Sequence, residues 1–297
     1  MRITLTTPAG NIGSKVAAIL LDTPGVALTL LARTPEKVER FALRGARIVA
    51  GDQLSADSLD LAVEGADALF WVTGMDYGVA DVRGRYNRFA DAAAGALLRH
   101  PELRLVHLSS IGAQLPEGTG PIKGLHDAEG KLNAAAKNIT HLRANYFMEN
   151  VLASLATIRS DSAIYSSVPG NRALEQVATA DIAAAAAHWL LHEARGQRVV
   201  DVFGPEDITF DQVAATLSEA LGEPVRHVQI PPSALTAALR ELGLSQQVAA
   251  ELAELQGAIS AGTLTRVGDA QWRGATRFAG FAQEVVVPAY RGVTAAA

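Results

Sequence analysis

The chain has no cysteine among its 297 residues, which removes disulfides, thiolate-ligated zinc and a thiol nucleophile together. Charge is sparse and balanced: 19% of residues are charged, the net charge is -5, and no cluster of Lys or Arg stands out. Such a distribution lacks the electrostatic footprint of a nucleic-acid binder. There is no run of about 18 apolar residues to suggest a membrane span, and the first residues enter a strand pattern without the basic and apolar regions of a cleavable signal. A soluble cytoplasmic protein with neither nucleic acid nor membrane as direct partner is the expectation. His100, His107, His126 and His141 fall in different elements without the i, i+4 pairing of a helix-borne zinc site, so no metal is expected. A Gly-x-Ser-x-Gly turn is missing too, and with it the nucleophile elbow of a serine hydrolase.

What is present begins at the first residues. The apolar start Met1-Arg2-Ile3-Thr4-Leu5 runs into Thr6-Thr7-Pro8-Ala9-Gly10-Asn11-Ile12-Gly13, after which Ile12, Val16, Ile19 and Leu20 share one helical face. A strand turned into a helix through glycines offers a tight turn, a backbone that approaches closely and free amides, which are what a dinucleotide pyrophosphate needs. Thr7, Gly10, Asn11, Ile12 and Gly13 are the candidate cradle. The full pattern is Gly-x-x-Gly-x-x-Gly, and Thr7 replaces its first glycine, so the turn needs its context.

Short aliphatic runs at Arg2 to Thr6, Val26 to Ala32, Ala46 to Ala50, Ala68 to Val72, Arg104 to Leu108 and Ile139 to Leu142 alternate with helical patterns. Six strands in that rhythm predict an α/β fold with a doubly wound parallel sheet over residues 1–150. Thr34 reads as an N-cap before Pro35, and Ser55 with Asp57 opens a helix that Gly65 closes. Asn138-Ile139-Thr140 matches a glycosylation triplet but enters a strand, and is given no weight. Beyond residue 150 long helical patterns dominate, with short strands at Val199 to Phe203 and Val225 to Val228. Residues 151–297 are read as a smaller, mostly helical substrate lobe, interleaved with the first part into one compact unit. Within it Thr209 to Gln212 is a capping box for a helix to about Leu221, Pro231-Pro232-Ser233 starts another, and Ala183 to Ala187 packs closely. Ala295 to Ala297 reads as a frayed tail.

Candidate binding residues gather at strand ends. Arg33 lies about 20 residues beyond the glycine turn, where a fold selecting NAD would carry an acid for the ribose hydroxyls. A guanidinium there forks onto a 2′-phosphate, with Thr34 and Lys37 adding a hydroxyl and a second charge, so NADPH or NADP+ is favoured over NAD; the alternative is a solvated surface arginine. Asp52 either reaches the adenine amino group or caps the next helix. Val72, Thr73 and Gly74 lie beside the expected cofactor path. Ser109 and Ser110 offer a hydroxyl to a substrate carbonyl or the nicotinamide ribose, or form a polar turn. Trp71, Tyr77 and Tyr86 either line an apolar pocket for a flat substrate or pack as core and lid.

Together the motifs from Thr6 to Gly13, Leu31 to Lys37, Gly51-Asp52, Leu108 to Ala113, His141 to Asn150 and Gly204 to Thr209 resemble the NmrA-like group of atypical short-chain dehydrogenases/reductases, kin to isoflavone reductases and small quinone reductases. The resemblance spans nearly the whole chain. It implies an NADP(H)-binding Rossmann domain with a smaller C-terminal lobe, in a family divided between reductases and cofactor-sensing regulators without turnover.

Typical short-chain relatives use Tyr-x-x-x-Lys, in which the lysine lowers the phenol pKa for proton exchange. Here Asp127 stands four residues before Lys131, so either the two form an i, i+4 ion pair or Lys131 reaches the nicotinamide ribose as the family pattern suggests. His126, at the start of that helix, is a candidate acid, and Tyr146 an alternative donor or pocket wall. Phe147 and Asn150 are expected to shape the nicotinamide end. The leading reading is an NADPH-dependent oxidoreductase acting on a small conjugated carbonyl or quinone-like compound, with Ser110 and either His126 or Tyr146 handling the acceptor oxygen. The rival is a non-catalytic NADP(H) sensor presenting its C-terminal helices to a protein partner, supported by the absent Tyr-x-x-x-Lys.

Overall fold

The computed structural model describes residues 1–74, 76–192 and 195–292; the tail at Ala295 to Ala297 lies outside them. Along the first half β1 (Arg2–Thr6), α1 (Gly13–Leu21), β2 (Ala27–Ala32), α2 (Glu39–Ala42), β3 (Arg47–Ala50), α3 (Ala56–Val63), β4 (Ala68–Trp71), α4 (Val82–Arg99), β5 (Arg104–Ser110), α5 (Lys123–Ala135) and β6 (Ile139–Ala144) alternate. Then follow α6 (Leu155–Asp161), β7 (Ala163–Ser166), β8 (Ala173–Leu174), α7 (Thr179–Leu191), β9 (Gln197–Phe203), β10 (Ile208–Thr209), α8 (Phe210–Leu221) and β11 (Arg226–Gln229). The chain ends in α9 (Pro232–Glu241), α10 (Gln246–Ala261), β12 (Ala270–Arg273), α11 (Phe278–Phe281) and α12 (Val287–Tyr290). None of the described helices is long and apolar enough to cross a membrane.

Eight strands form one parallel sheet in the order β12-β9-β6-β5-β4-β1-β2-β3. The winding reverses beside β1, between β4 and β2, and ligands of such sheets collect at the carboxyl ends of the strands flanking that reversal. Helices cover both faces, so the central strands are buried on both sides; β4 is apolar throughout and every one of its residues is buried. On one face Ile3, Leu5, Leu30 and Phe70 pack under Val16 and Leu20 of α1 and under Ala183, Ala186 and Leu190 of α7. The small alanines let α7 lie close to the sheet. On the other face Leu31, Leu69 and Trp71 meet Leu59, Phe89, Ala93 and Leu97, each fully buried leucine contributing about 1.5–3 kcal/mol.

Under α5 the pattern changes. Parallel pairing sets His107 beside His141 and Ser109 beside Arg143, and the two-residue period of a strand turns all four to one face. Glu129 and Asn133, one helical turn apart on α5, meet them. Arg143 forks onto Glu129 at 3.0 and 2.5 Å, and Ser109 donates to the same carboxylate at 2.6 Å. Burial alone would raise the Glu129 pKa; the Arg143 fork outweighs it and holds the carboxyl below its ordinary value.

Two expectations are corrected. The sheet has eight strands rather than six because Val199 to Phe203, read as part of the substrate lobe, is β9 and pairs with β6, and β12 continues it. Val225 to Val228 forms β11 beside β7 in a separate two-stranded sheet, while β8 and β10 form an antiparallel pair. The smaller lobe has its own core, with Met148, Ile164, Val213, Leu217, Phe278 and Phe281 buried together. The capping box at Thr209 and Gln212 forms and starts α8. Thr34, by contrast, precedes a short 3-10 turn over Pro35–Val38 and its hydroxyl caps nothing.

Candidate functional site

The glycine turn owes its shape to close backbone approach. Gly10 N donates to Thr7 O at 3.0 Å, and a Cβ on Gly13 would lie 2.2 Å from that same carbonyl, so only glycine fits there. Thr7 itself takes a φ of +50°. Ile12, the N-cap of α1, makes no side-chain cap hydrogen bond, and the first turn carries no acidic residue. No side chain caps the helix N-terminus and no carboxylate stands in its first turn to repel an anion; the Ser14 amide is taken by Gly10 O at 2.9 Å.

This turn forms one end of a cleft of about 920 Å³ along the carboxyl ends of β1, β4, β5 and β6, near the upper end of the size range for small-molecule sites. Of the residues singled out from sequence, Thr7, Gly10, Asn11, Ile12, Gly13, Val72, Thr73, Gly74, Ser109, Ser110, Tyr146, Phe147 and Asn150 line it, as do Tyr77 and Tyr86. The loop after β6 is held in place by the segment before α7: Met148 N donates to Val177 O at 3.0 Å and Val177 N to Tyr146 O at 2.9 Å. Glu149 turns back and accepts from Thr179 N at 3.0 and 3.1 Å and from the Thr179 hydroxyl, capping α7.

Other candidates lie elsewhere. Arg33, Thr34 and Lys37 are exposed at the end of β2, outside the residues lining the cleft. Asp52 does not cap α3, a task taken by Ser55, whose hydroxyl accepts from Ser58 N at 3.3 Å; Asp52 Oδ1 instead accepts from Leu54 N at 2.8 Å in a local turn. The expected Asp127–Lys131 pair is not made. With α4 packed along α5, Asp127 takes the Arg83 guanidinium at 2.7 and 2.9 Å and Lys131 takes Asp91 at 2.5 Å. The Arg83 hydrogen bonds depress the Asp127 pKa to about 2. Lys131 and His126 are not among the residues that line the cleft; His126 Nδ1 lies 2.9 Å from Ala113 O. Trp71 is fully buried in the core under α3 and α4.

At the far end of the cleft stand phenols. Burial pushes the Tyr146 hydroxyl up to about 12, against the pull of a hydrogen bond from Asn150, and the ring meets Phe210 edge-on at 5.8 Å. Tyr77 is likewise raised to about 12 by burial and then by Glu251, and burial raises Tyr86. Ser110 is half-buried, its hydroxyl donating to Ile111 O at 3.1 Å. The Ser109 hydroxyl is committed to Glu129 at 2.6 Å, so the expectation that its proton serves a ligand is corrected: the carboxylate beneath already holds it.

The smaller lobe closes this end with Arg172, Glu175, Leu255, Ile259, Leu264 and Arg266, none of which the sequence pattern singled out. They come from either side of β8, from α10 and from the segment after it, so no local spacing links them. Arg266 pairs with Glu175 at 3.2 Å.

Comparison with known proteins agrees with this architecture. Residues 1–271 match the NmrA-like family. An NAD(P)H azoreductase of Xenophilus azovorans is 28% identical over 278 residues, covering 92% of this chain and 94% of its own length. A (4-alkanoyl-5-oxo-2,5-dihydrofuran-3-yl)methyl phosphate reductase of Streptomyces griseus is 32% identical over 240 residues, with 80% of each chain covered. Among solved structures, an NADPH-dependent quinone oxidoreductase of Escherichia coli, complexed with NADPH, superposes with a TM-score of 0.75 at 24% identity over 89% of this chain and 91% of its own. That last likeness speaks for the fold. With a family match over most of its length, the chain belongs to the NmrA-like family.

Proposed function

We propose that the protein is an NADPH-dependent oxidoreductase that reduces a small conjugated carbonyl or quinone-like compound. The observation that carries this reading is the continuity of the cleft, which runs from the glycine turn to an end walled by phenols and by leucine, isoleucine and arginine side chains of the smaller lobe. Relatives that cover most of the chain are named as reductases of an azo compound and of a dihydrofuranone phosphate, both flat and conjugated.

The residues fit a dinucleotide at the one place where backbone replaces side chain. Gly13 admits no Cβ, and the uncapped start of α1 supplies amides for a pyrophosphate. Thr7, Gly10, Asn11, Ile12 and Gly13 hold it; Val72, Thr73, Gly74, Phe147 and Asn150 flank its path, with Ser109 contributing backbone. The exposed Arg33 guanidinium, helped by Thr34 and Lys37, takes the 2′-phosphate, and the second carboxylate oxygen of Asp52 takes the adenine amino group. A nicotinamide cofactor bound here supplies the hydride. Tyr146 then stands as the proton donor: burial keeps its phenol protonated at neutral pH, and Asn150 orients it. A phenol this weakly acidic protonates an oxygen that has become strongly basic, such as an enolate or quinolate oxygen. The Ser110 hydroxyl turns from its 3.1 Å bond to Ile111 O to steady that oxygen.

The test is NADPH and NADH oxidation against a panel of quinones and enones, for the wild type and for Arg33→Ala. The wild type should turn over with kcat/KM for NADPH at least roughly tenfold above NADH, and the variant should lose NADPH efficiency while sparing NADH. Tight NADPH binding without turnover on any acceptor would overturn this reading in favour of a cofactor sensor.

A further inference from the structure

Given the cleft's proposed role as an acceptor site, we infer that its smaller-lobe end holds an anionic substituent of the acceptor, a sulfonate, carboxylate or phosphate oxyanion, on the guanidinium of Arg172. Arg172 lines the cleft immediately before β8. Its Nε is buried without a hydrogen-bond partner, and no ion pair among the described residues involves it. A buried guanidinium donor left without an acceptor is costly, and a ligand oxyanion is the group that matches its planar fork.

Two other roles for this side chain are taken by its neighbours. At the end of α10 the Ala258 and Ile259 carbonyls do not need it: Ala258 O accepts from Thr263 N at 3.1 Å and from the Thr263 hydroxyl at 3.2 Å, and Ile259 O accepts from Gly262 N at 3.1 Å. Of the wall's carboxylates, Glu149 is occupied by Thr179 and Glu175 by Arg266, while Asp207 is exposed. The neighbouring cation, Arg266, is neutralised by Glu175 and stacked 4.4 Å from the centroid of Phe203. Arg172 is therefore the cleft-lining cation, among the described residues, with charge to spare.

Its placement is also built. The guanidinium rests on Gly262, where a Cβ would come within 2.2 Å of Nη2 and where φ is +72°. Beside it Leu174, Ile259 and Leu264 offer apolar surface. An apolar wall ending in a fork of N–H donors fits a flat conjugated body with an oxyanion at one edge.

The test measures binding apart from turnover. Naphthalene-2-sulfonate and the neutral naphthalene-2-sulfonamide are titrated calorimetrically into protein saturated with NADP+, for the wild type, Arg172→Met and Arg172→Lys. The sulfonate should bind about tenfold or more tightly than the sulfonamide in the wild type. That ratio should fall to about one in Arg172→Met and recover in part in Arg172→Lys, which keeps the charge without the fork. Equal affinities in the wild type, no sulfonate binding, or a ratio that survives Arg172→Met overturns the inference. In parallel, kcat/KM is compared for 1,4-naphthoquinone and its 2-sulfonate. Absence of turnover with the binding ratio intact overturns the oxidoreductase reading and leaves the anion site standing.

Discussion

Thr7 and Gly13 carry opposite strains in one turn. A β-branched residue at a φ of +50° sits in the left-handed region at a cost of about 1–2 kcal/mol, where the related pattern places glycine. Gly13 is the reverse case, since the Thr7 carbonyl already stands where its Cβ would go. Thr7→Gly should therefore raise the unfolding free energy by about 1 kcal/mol or less, the relief of strain being partly offset by greater freedom of the unfolded chain. Gly13→Ala should lower it by more than about 2 kcal/mol and abolish NADPH binding. Urea denaturation and cofactor titration read both. A Thr7→Gly loss of stability would mean that the threonine side chain holds the turn by a contact of its own. Sequence shows that the glycine is missing at residue 7; only the backbone shows that the conformation it served has been kept.

At the scale of elements, the six strands read from sequence are all present because each is a short apolar run cut off by turn residues, a signal that neighbours in space do not alter. β9 and β12 were harder to assign, since strands at one side of a sheet give no sign of which sheet they join. Pair partners failed for a related reason. The i, i+4 rule joins Asp127 to Lys131 on an isolated helix, but α4 brings Arg83 and Asp91 nearer. Of the candidate site, the residues on strand ends and the glycine turn were legible, because fold geometry fixes where such positions point. Arg172 and Leu264 were not, since the smaller lobe folds them in from distant segments. Long-range closure also explains α7, whose first turn is capped from 30 residues upstream by Glu149. A carboxylate accepting two N-terminal donors is worth about 1–2 kcal/mol. Glu149→Ala should cost that much in urea unfolding, and Glu149→Gln, which keeps an acceptor oxygen, about half. An unchanged midpoint in both would show that the Thr179 end of α7 is satisfied by water.

For the molecule as a whole, the polar layer under α5 ties stability to pH. His141 Nε2 faces Asn133 Oδ1 at 3.0 Å and so carries a proton; its Nδ1 must then accept from His107 Nδ1, 2.9 Å away. His107 Nε2 is left as a bare lone pair, which is why it tolerates having no partner. Both rings are neutral in this chain of bonds. Burial, reinforced by the neighbouring imidazole, lowers the His107 pKa to about 3. Burial lowers that of His141 to about 4, with Glu129 acting against it and Arg143 with it. In the unfolded chain both titrate near 6.5. Below that pH the unfolded state binds protons that the native state refuses, so stability is full above about 6.5 and falls as the pH drops toward 4. The depressed Glu129 carboxyl adds its own loss only at lower pH, below its unfolded value near 4.3. Between pH 7 and pH 5 the unfolding free energy should fall by on the order of 2 kcal/mol or more, measured by urea denaturation at fixed ionic strength. Long-range ¹H–¹⁵N spectra should show His107 as the Nδ1–H tautomer and His141 as the Nε2–H tautomer, neither shifting above pH 5. A flat stability profile across that range, or imidazole signals that titrate near 6.5 in the native protein, would place a charge or water where the sheet has two neutral rings.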